Sequence, residues 1–487
     1  MRIVIGSAEV APFAKTGGLA DVAGTLPKHV GQLGHDVIVI MPLYRKVRQS
    51  GVKLQPTRLS FEVPIANRVV TGKLWRSTLP GSDLPIYFVE NNAYYDRDGL
   101  YGTGGGHDSD FADNSERFIF FTRAILEACE QLEFAPDVIH CNDWQTGLLP
   151  VYLKTIYRDR PHLRDTATVY TVHNLAYQGM FWHWDMKLTG LDWYLFNWRQ
   201  LEYYGNLNFM KGGIVFADVI NTVSKQYAQE IQTQEYGVGL NDVLKERSAD
   251  LYGIVNGVDC TVWNPELDEH IAARYGPNDL TGKARCKADL QEKCGLPKSN
   301  APLIGVVSRL DKQKGFDILG EAIEDIMKLE LQMVLLGTGD PKYHTLFENM
   351  AERFPRKIAV KLAFNDPLAH QIEAGSDMFL MPSRYEPCGL NQLYSLKYGT
   401  VPVVRHTGGL ADTIIDGTTG FSFEEYTPSA LLAVIRRALK AYGEKATWGK
   451  LIRNCMKQDW SAERSAREYV ELYERALAKM GACCGCK

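Results

Sequence analysis

Two cations and one carboxylate in the second half of the sequence have the types and positions needed to bind a phosphorylated sugar. Arg309 and Lys314 flank the turn SRLDKQKG (308–315), which follows a short apolar run. A guanidinium can clamp two phosphate oxygens and an ammonium adds a compact charge, so the pair could stabilise a diphosphate as it leaves. Glu386 follows another apolar run, in RYEPCGLNQ (384–392), where a carboxylate can accept bonds from two sugar hydroxyls. The structural alternatives are a solvated basic loop and, for Glu386, an acid that only stabilises the start of a helix.

The hexapeptide TGGLAD occurs twice, at 16–21 and at 407–412, each time after a predicted strand and at the start of a helical pattern. Paired glycines let backbone N–H groups approach an anion, and the positive end of the following helix dipole lies at the same place. The repeat therefore predicts two anion-binding turns that together hold a diphosphate. The alternative is that each Gly-Gly pair only makes a tight turn. A further glycine loop, GTGD (337–340), fits a binding role and a structural role equally well.

The first half of the chain contributes further polar candidates. Lys15 and Asp21 flank the first TGG, where they could contact a substrate, or could be an exposed lysine and an acid that favours the helix start. His173 ends a predicted buried strand in YTVHNLAYQG (170–179) and could bond a sugar hydroxyl or be a satisfied core histidine. Strand-end acids such as Asp143 are interpreted as structural or substrate-facing.

The segment FWHWDMKLTGLDWYLFNW (181–198) is rich in tryptophan, with Trp182, Trp184, Trp193 and Trp198. Such rings can stack on the rings of a glucan. Packing in the core or between domains explains them equally well.

Short β-rich apolar runs alternate with helical patterns along the whole chain. They lie at 2–7, 36–42, 85–90, 137–142, 168–174, 218–224, 302–309, 332–339, 358–364, 378–383 and 401–406. This alternation predicts an α/β protein with two doubly wound, Rossmann-like domains, whose ligands bind beyond the carboxyl ends of parallel strands.

The turn-rich segment 255–265 places the boundary between the domains near residue 254. The predicted domains are therefore an N-terminal, acceptor-side domain at 1–253 and a C-terminal, nucleotide-sugar-binding domain at 254–457. The remaining segment, 458–487, is expected to form a helix to about Lys479 that packs back on the first domain. A mobile tail with Cys483, Cys484 and Cys486 would follow it.

Composition argues against several classes of protein. The 487 residues are 45% hydrophobic and 23% charged, with a formal net charge of −4 and no basic block, which argues against a disordered chain and against a nucleic-acid partner. No apolar run reaches membrane-spanning length, and the sequence starts directly in a strand pattern. A cytoplasmic, bacterial-type protein without a membrane partner is therefore expected, with a plastid form that has lost its transit peptide as the alternative.

The cysteines outside the tail are scattered through apolar or helical contexts and are expected to be reduced packing residues. No His-Glu-x-x-His, paired Cys-x-x-Cys or Asp-x-Asp metal signature stands out in the sequence, so no essential metal is expected.

Several long motifs occur in a fixed order that spans nearly the whole chain. They are KTGGLADVAGTLP (15–27), YTVHNLAYQG, NGVD (256–259), SRLDKQKG, RYEPCGL and HTGGLADT (406–413). With them the sequence closely resembles the bacterial glycogen synthases and plant starch synthases. The resemblance implies a glycosyltransferase B fold, in which two domains face a central cleft, and ADP-glucose as the donor.

The resemblance also implies roles for individual residues. Four are implied to be catalytic: His173, Arg309, Lys314 and Glu386. Others are implied to bind substrate from the first domain: Lys15, Gly18, Asp21, Asn174 and Asn256. The second domain is implied to add Phe364, Cys388, Gly389, Leu390, Thr407, Gly408 and Gly409, with the last three completing a phosphate-binding turn.

Two positions depart from patterns in related enzymes. Phe364 stands where some family members have a tyrosine that stacks on adenine. Tyr394 stands where retaining relatives elsewhere in this fold have a second acid, as suits the synthases.

The implied reaction is transfer of glucose, with retention, to the non-reducing 4-hydroxyl of an α-1,4-glucan such as glycogen, starch or a maltooligosaccharide. ADP is released, and the donor is a substrate, so no cofactor is expected. The alternatives are another retaining sugar-nucleotide glycosyltransferase, a sugar-nucleotide epimerase of the same fold, or a glucan-binding protein without activity. Whether glycogen or starch is the product stays open.

Overall fold

The computed structural model describes residues 1–103 and 110–484, with side chains to Gly481, and the chain divides into two compact units. Unit 1 comprises Met1–Gly257 and Ala462–Lys487, and unit 2 comprises Val258–Ser461. The boundaries expected from the sequence lie a few residues earlier in the chain. Cys486 lies outside the described residues, as do the side chains of Cys483 and Cys484.

Unit 1 is an α/β unit. Its strands are β1 (Arg2–Gly6), β2 (Asp36–Pro42), β3 (Gln55–Ile65), β4 (Arg68–Thr78), β5 (Pro85–Glu90), β6 (Val138–Asn142), β7 (Ala167–Val172), β8 (Met180–Trp182), β9 (Glu202–Tyr203), β10 (Asn206–Asn208), β11 (Val219–Thr222) and β12 (Leu251–Gly253). Its helices before the crossover to unit 2 are α1 (Gly18–Gln32), α2 (Arg45–Gln49), α3 (Asn92–Tyr95), α4 (Asn114–Gln131), α5 (Leu149–Lys154), α6 (Met186–Thr189), α7 (Phe209–Phe216), α8 (Lys225–Glu230) and α9 (Asn241–Glu246).

The main sheet of unit 1 has nine strands in the order β12-β11-β7-β6-β1-β2-β5-β4-β3. The strands from β12 to β5 are parallel, and their central members are buried along their length because helices cover both faces of the sheet. The strand order reverses between β1 and β6. In an open parallel sheet such a reversal opens a crevice at the carboxyl ends of the two strands.

Two antiparallel features of unit 1 were not predicted from the sequence. Strands β3 and β4 form a long hairpin that extends the main sheet at its edge. Strands β8, β10 and β9 form a separate three-stranded sheet.

Unit 2 is a smaller α/β unit. Its strands are β13 (Leu303–Val307), β14 (Gln332–Leu336), β15 (Ile358–Lys361), β16 (Met378–Met381), β17 (Val401–Arg405) and β18 (Phe421–Phe423). Its helices are α10 (Thr281–Lys293), α11 (Phe316–Lys328), α12 (Pro341–Arg353), α13 (Asp366–Gly375), α14 (Asn391–Tyr398), α15 (Gly408–Thr413), α16 (Pro428–Gly443) and α17 (Lys445–Met456).

The sheet of unit 2 is parallel throughout, in the order β15-β14-β13-β16-β17-β18. Its strand order reverses between β13 and β16, so the loops after these two strands are the ones expected to bind a ligand. Every strand that the sequence predicted is present in one of the two main sheets.

The last helix, α18 (Ala462–Cys484), belongs to unit 1, where it packs against α1 and β7. Its buried side chains include Tyr469 and Tyr473. The hydroxyl of Tyr473 lies 3.0 Å from Nδ1 of His140 on β6, and the hydroxyl of Tyr469 accepts a bond of 3.1 Å from the amide of Asn221 on β11. The helix therefore completes a polar network inside the sheet as well as covering it.

The remaining expectations from composition concern cysteines and membranes. Seven cysteines are free in the described part of the chain, and all of them except the half-buried Cys260 are buried. Among the described residues, no helix combines the length and the apolar character that crossing a membrane requires.

We expect Tyr473→Phe to lower the free energy of unfolding by about 1–2 kcal/mol, because the change leaves Nδ1 of His140 buried without its partner. Burial lowers the pKa of His140 to about 3, so the ring is neutral and has one acceptor nitrogen to satisfy. Urea unfolding followed by tryptophan fluorescence measures the effect. The matched control is Tyr204→Phe, whose ring is 82% exposed, and equal effects of the two changes would contradict the prediction.

Candidate active site

The loops after β13 and β16 are joined through their backbones at the point where the strand order of unit 2 reverses. The N–H of Arg384 donates to the carbonyl of Gln313 over 2.8 Å. Gly315 has φ +79° and lies so close to Pro382 that a Cβ would be 2.0 Å from the Pro382 carbonyl oxygen. Only glycine satisfies both conditions, and the turn 308–315 is therefore fixed against the segment that carries Glu386.

An ion pair connects these two loops. Nζ of Lys314 lies 2.6 Å from Oε2 of Glu386, and the hydroxyl of Ser383 donates to the same oxygen over 3.0 Å. Glu386 is 4% exposed. A carboxylate held this way has its charge balanced by one cation, and its other oxygen, Oε1, is left to accept bonds from a ligand.

Arg309 lies on the same turn but is more exposed than Lys314. Its guanidinium lies 3.4 Å from the carboxylate of Asp311 and 3.3 Å from the side-chain oxygen of Gln313. About half of its side chain is exposed. An anion that binds at this turn therefore meets one guanidinium that can still reorient and one lysine that is already fixed.

The second TGG turn packs against the Glu386 segment. A Cβ on Gly408 would lie 1.9 Å from the carbonyl oxygen of Glu386, and one on Gly409 would lie 2.0 Å from that of Cys388. The N–H of Gly409 donates to the carbonyls of Glu386 and Pro387. The two glycines are thus required by close approach of the backbone. The prediction that the Gly409 amide is open to a phosphate is corrected, since that amide is used within the protein.

The three residues after Pro387 lead into α14. Cys388 is buried, Gly389 has φ +74°, and Leu390 directly precedes the helix. The amide of Gln392 donates to the carbonyls of Cys388 and Gly389 over 3.0 Å each. These contacts fix the backbone next to Glu386.

The loop after β14, which contains GTGD, packs on the Arg309 turn. A Cβ on Gly337 would lie 1.8 Å from the carbonyl oxygen of Ser308. Gly337 therefore has the structural role that the sequence left open, since a side chain there would collide with the Arg309 turn.

The two positions that depart from related enzymes have different surroundings. Phe364 follows β15 and is 83% exposed, so its ring is accessible for stacking. The ring of Tyr394 is buried and stacks on Trp263 at 3.9 Å between centroids. Tyr394 therefore has a packing contact in the position where other retaining enzymes have an acid.

In unit 1, the first TGG turn already has an anion from the chain itself. The carboxylate of Glu9, which lies three residues after the end of β1, accepts bonds from the N–H groups of Thr16 and Gly17. These two amides are therefore not open to a diphosphate, which corrects that part of the interpretation of the repeat. Lys15 and Asp21 form an ion pair of 2.7 Å across the same turn, while Gly18 begins α1.

His173 follows β7 and is fixed by two consecutive residues, Asn142 at the end of β6 and Asp143 just after it. Its Nε2 lies 2.9 Å from the side-chain oxygen of Asn142, and its backbone N–H donates to Asp143 over 2.7 Å. Burial lowers the pKa of His173 to about 3. The ring is therefore neutral, and with Nε2–H assigned as the donor to Asn142, Nδ1 is its acceptor atom.

Asp143 belongs to the same site. From the sequence it was known only as an acid at the end of a strand, with a structural or a substrate-facing role. It has φ +54°, and its carboxylate is bonded by the backbone N–H groups of His173 and Asn174. Burial raises the pKa of the Asp143 carboxyl to about 7, while those two N–H groups act in the opposite direction. The acid therefore holds the start of the loop that carries His173.

The two asparagines predicted in unit 1 differ in their bonding. The side-chain oxygen of Asn174 accepts a bond of 3.0 Å from the N–H of Ala176, which closes a local turn. Asn256 is 4% exposed, and its side-chain oxygen has no partner among the described residues.

The tryptophans of segment 181–198 are on the surface. Trp182 and Trp198 are 62% and 66% exposed, and Trp184 and Trp193 are about two-fifths exposed. Edge-to-face contacts join Trp182 to Trp184 and Trp184 to Trp193. Core packing is therefore not their role, and stacking on a glucan stays a prediction.

The structure brings the predicted residues together in two groups. In unit 2, Arg309, Lys314, Glu386 and the second TGG turn lie on adjacent loops. In unit 1, Lys15 and Asp21 form one pair, and His173 and Asn174 share one loop. In the described part of the chain, no three His, Cys, Asp or Glu side chains are arranged to hold a metal ion.

Comparisons with known proteins agree with this arrangement. Residues 2–246 match the family described as the starch synthase catalytic domain, and residues 289–454 match glycosyl transferases group 1. The glycogen synthase of Syntrophotalea carbinolica is 47% identical over 484 residues, which is 98% of this chain and 99% of that protein. The glycogen synthase of Thermotoga maritima is 47% identical over an alignment of 494 positions that covers 99% of this chain and all of that protein.

Solved structures are similar as well. The catalytic domain of starch synthase IV from Arabidopsis thaliana, bound to ADP and acarbose, has a TM-score of 0.90 and 33% identity, and the match covers 98% of this chain and 99% of that chain. Sucrose-phosphate synthase from Thermosynechococcus elongatus has a TM-score of 0.61 at 17% identity, with the same coverage, which is a likeness of fold. The predicted glycosyltransferase B fold is confirmed.

The similarity to glycogen synthases extends over nearly the whole length of both chains, and the starch synthase family matches most of unit 1. The chain therefore belongs to the glycogen synthase and starch synthase family of glycosyltransferases.

Proposed function

We propose that this chain transfers glucose from ADP-glucose to the non-reducing 4-hydroxyl of an α-1,4-glucan, with retention of configuration. The observation that carries the proposal is the group at the strand reversal of unit 2. There, Lys314 is paired with the buried Glu386, and Arg309 is on the same turn. One cluster thus offers cations to a diphosphate and a carboxylate to a sugar. The glycogen synthases that resemble the chain support the same reaction.

In this proposal unit 2 binds the donor. Arg309 and Lys314 bind the pyrophosphate, because its charge grows as the bond to glucose breaks and fixed cations stabilise that charge. Glu386 binds hydroxyls of the donor glucose through the carboxylate oxygen that Lys314 does not occupy. The ring of Phe364, which is largely exposed, stacks on the adenine.

The chemical step needs no enzyme nucleophile. The bond from C1 of glucose to the β-phosphate oxygen breaks, and C1 bonds to O4 of the acceptor on the same face. The proton of the 4-hydroxyl passes to the departing phosphate oxygen, which becomes part of ADP. Neutral His173 accepts one hydrogen bond from the sugar at Nδ1 and does not change its protonation in the physiological range, since its pKa is lowered to about 3.

The acceptor is proposed to be a glucan chain of glycogen, starch or maltooligosaccharide. The connected tryptophan rings of unit 1 offer apolar faces to sugar rings. We further propose that the reaction uses neither a cofactor nor a metal ion, because the cations of the Arg309 turn take the role that a metal has in other phosphate sites. A cytoplasmic location remains part of the proposal.

The function is tested by supplying the purified protein with glycogen and either ADP-glucose or UDP-glucose. We expect ADP release and an equal amount of glucose added to the glucan, with faster transfer from ADP-glucose. Elongation is measured on debranched chains by chromatography, and nucleotide release by a coupled assay. Transfer from neither donor would rule the proposal out, and an altered sugar nucleotide without elongation would favour the epimerase alternative.

We expect Lys314→Ala to lower kcat about 100-fold to 1,000-fold with a smaller change in KM for ADP-glucose, because its charge is most valuable when the diphosphate leaves. Steady-state kinetics with saturating glycogen measure the split between kcat and KM. The matched control is Lys312→Ala, a nearby lysine of the same turn that is exposed. An unchanged kcat for Lys314→Ala, or an equal loss for the control, would remove Lys314 from the diphosphate site.

A further inference from the structure

Glu9 is a buried acid in unit 1 that none of the sequence motifs singles out. It is 4% exposed. Its carboxylate accepts from four donors: the N–H groups of Thr16 and Gly17, the hydroxyl of Thr16 over 2.6 Å and the hydroxyl of Tyr101 over 2.8 Å. Each carboxylate oxygen accepts from two of these donors, so both oxygens of Glu9 are used within the protein.

The chain around Glu9 is held by its own bonds. The hydroxyl of Ser7 donates to the Glu9 carbonyl over 2.6 Å, and Val10 and Ala14 exchange a pair of backbone bonds. A second contact fixes α1 against the same loop, because the N–H of Ala11 donates to the carbonyl of Ala20 over 2.9 Å. The loop from Ser7 to Gly17 is therefore a rigid frame, and Glu9 connects it to the first TGG turn.

The bonds of Glu9 stop at Gly17, and α1 begins at Gly18. The first amides of any helix have no acceptor within the helix. Glu9 thus takes up the two amides before the helix. Gly18, the first residue of the helix, is exposed beside them, whereas the N–H of Ala20 donates to the carbonyl of Gly17.

The space around Gly17 differs from that around the glycines of unit 2. A Cβ on Gly17 would meet nothing within 4 Å, and its φ of −154° is one that any residue adopts. Neither the packing nor the backbone of the chain requires glycine here. Open space beside a glycine is what a ligand that closely approaches the backbone needs.

We propose that Glu9 is a positioning residue for glucosyl transfer, whose carboxylate holds the first TGG turn so that Lys15 and the start of α1 meet the substrate in one fixed arrangement. This inference rests on the proposed function and goes beyond it, because Glu9 acts through the turn and does not touch the substrate. A carboxylate suits the task, since its two oxygens can accept from all four donors. A neutral amide of the same shape would direct an NH₂ group toward two of them.

The decisive variant is Glu9→Gln. A reacting group displaced by about 1 Å can cost on the order of 100-fold in rate, so we expect kcat to fall about 10-fold to 100-fold. Because the donor nucleotide is assigned to unit 2, we expect the Kd for ADP, measured by calorimetry, to stay within about twofold of the wild-type value. The calorimetric titration also counts the folded sites, and kcat is expressed for each ADP-binding site. Hydrogen exchange should show faster exchange at Thr16 and Gly17 in this variant.

Two milder changes test the same bonds without adding a new group. Thr16→Val and Tyr101→Phe each remove one hydroxyl from the carboxylate, and we expect each to lower kcat about 3-fold to 10-fold. Thr16→Ser keeps the hydroxyl and should recover most of what Thr16→Val loses. Glu62→Gln, on the exposed face of β3, is the matched control and should keep the wild-type kcat.

The outcomes separate the two proposals. No transfer by the wild-type protein would overturn the proposed function, and the role of Glu9 in it would fall as well. Wild-type transfer together with an unchanged kcat for Glu9→Gln would overturn the role of Glu9 alone. If Glu9→Gln does not bind ADP because it fails to fold, unchanged kcat values for both Thr16→Val and Tyr101→Phe would overturn the inference.

Discussion

Close approach of backbone to backbone is the constraint on which the unit 2 site depends. Gly315 contacts the carbonyl of Pro382, Gly408 that of Glu386 and Gly409 that of Cys388, each at a distance that a Cβ would not permit. Because β13, β16 and β17 are neighbours in the sheet, the loops that follow them leave at one edge, and these glycines let the loops touch. The ion pair between Lys314 and Glu386 is then formed between two segments that are already fixed, so little side-chain freedom has to be lost when a ligand arrives.

Unit 1 positions its site in a different way, with side chains in place of close backbone contacts. Asp143 and Glu9 follow the two strands at which the order of the sheet reverses. Asp143 accepts a bond from the backbone of the loop after β7, and Glu9 accepts bonds from the backbone at the far end of its own loop. His173 is held from two sides by consecutive residues, Asn142 and Asp143. Deeper in the sheet, His140 is bonded to Thr171 and to Tyr473 of the last helix. The C-terminal segment therefore supports the same strands whose ends carry the site.

The parallel strands could be predicted because strands that are buried on both faces appear in the sequence as apolar runs. This pattern does not depend on the side chains at the strand ends. Strands β3 and β4 were not predicted. The sequence of β3, QPTRLSFEVPI, has charges and two prolines, and only every second residue from Phe61 to Ile65 is buried. The chemistry of Arg309, Lys314 and Glu386 could be inferred from their types and from their places after strands. Their pairing could not, because Lys314 and Glu386 are 72 residues apart and no local pattern states which acid meets which cation. Glu9 was missed although Thr16 and Gly17 are only seven and eight residues away, because it lies outside the recognised motifs and contacts them only when the loop folds back.

The repeated hexapeptide shows why identical sequences need not have identical roles. At 16–21 the turn leads into a helix of 15 residues, its amides are taken by a carboxylate, and Gly17 has open space around it. At 407–412 the helix has six residues, the amide of Gly409 is taken by main-chain carbonyls, and both glycines are sterically required. The position of the first turn therefore depends on one side chain, so a single substitution at Glu9 can change it. The position of the second turn depends on backbone contacts. The second turn thus serves as a rigid support for Glu386, while the position of the first depends on the carboxylate of Glu9.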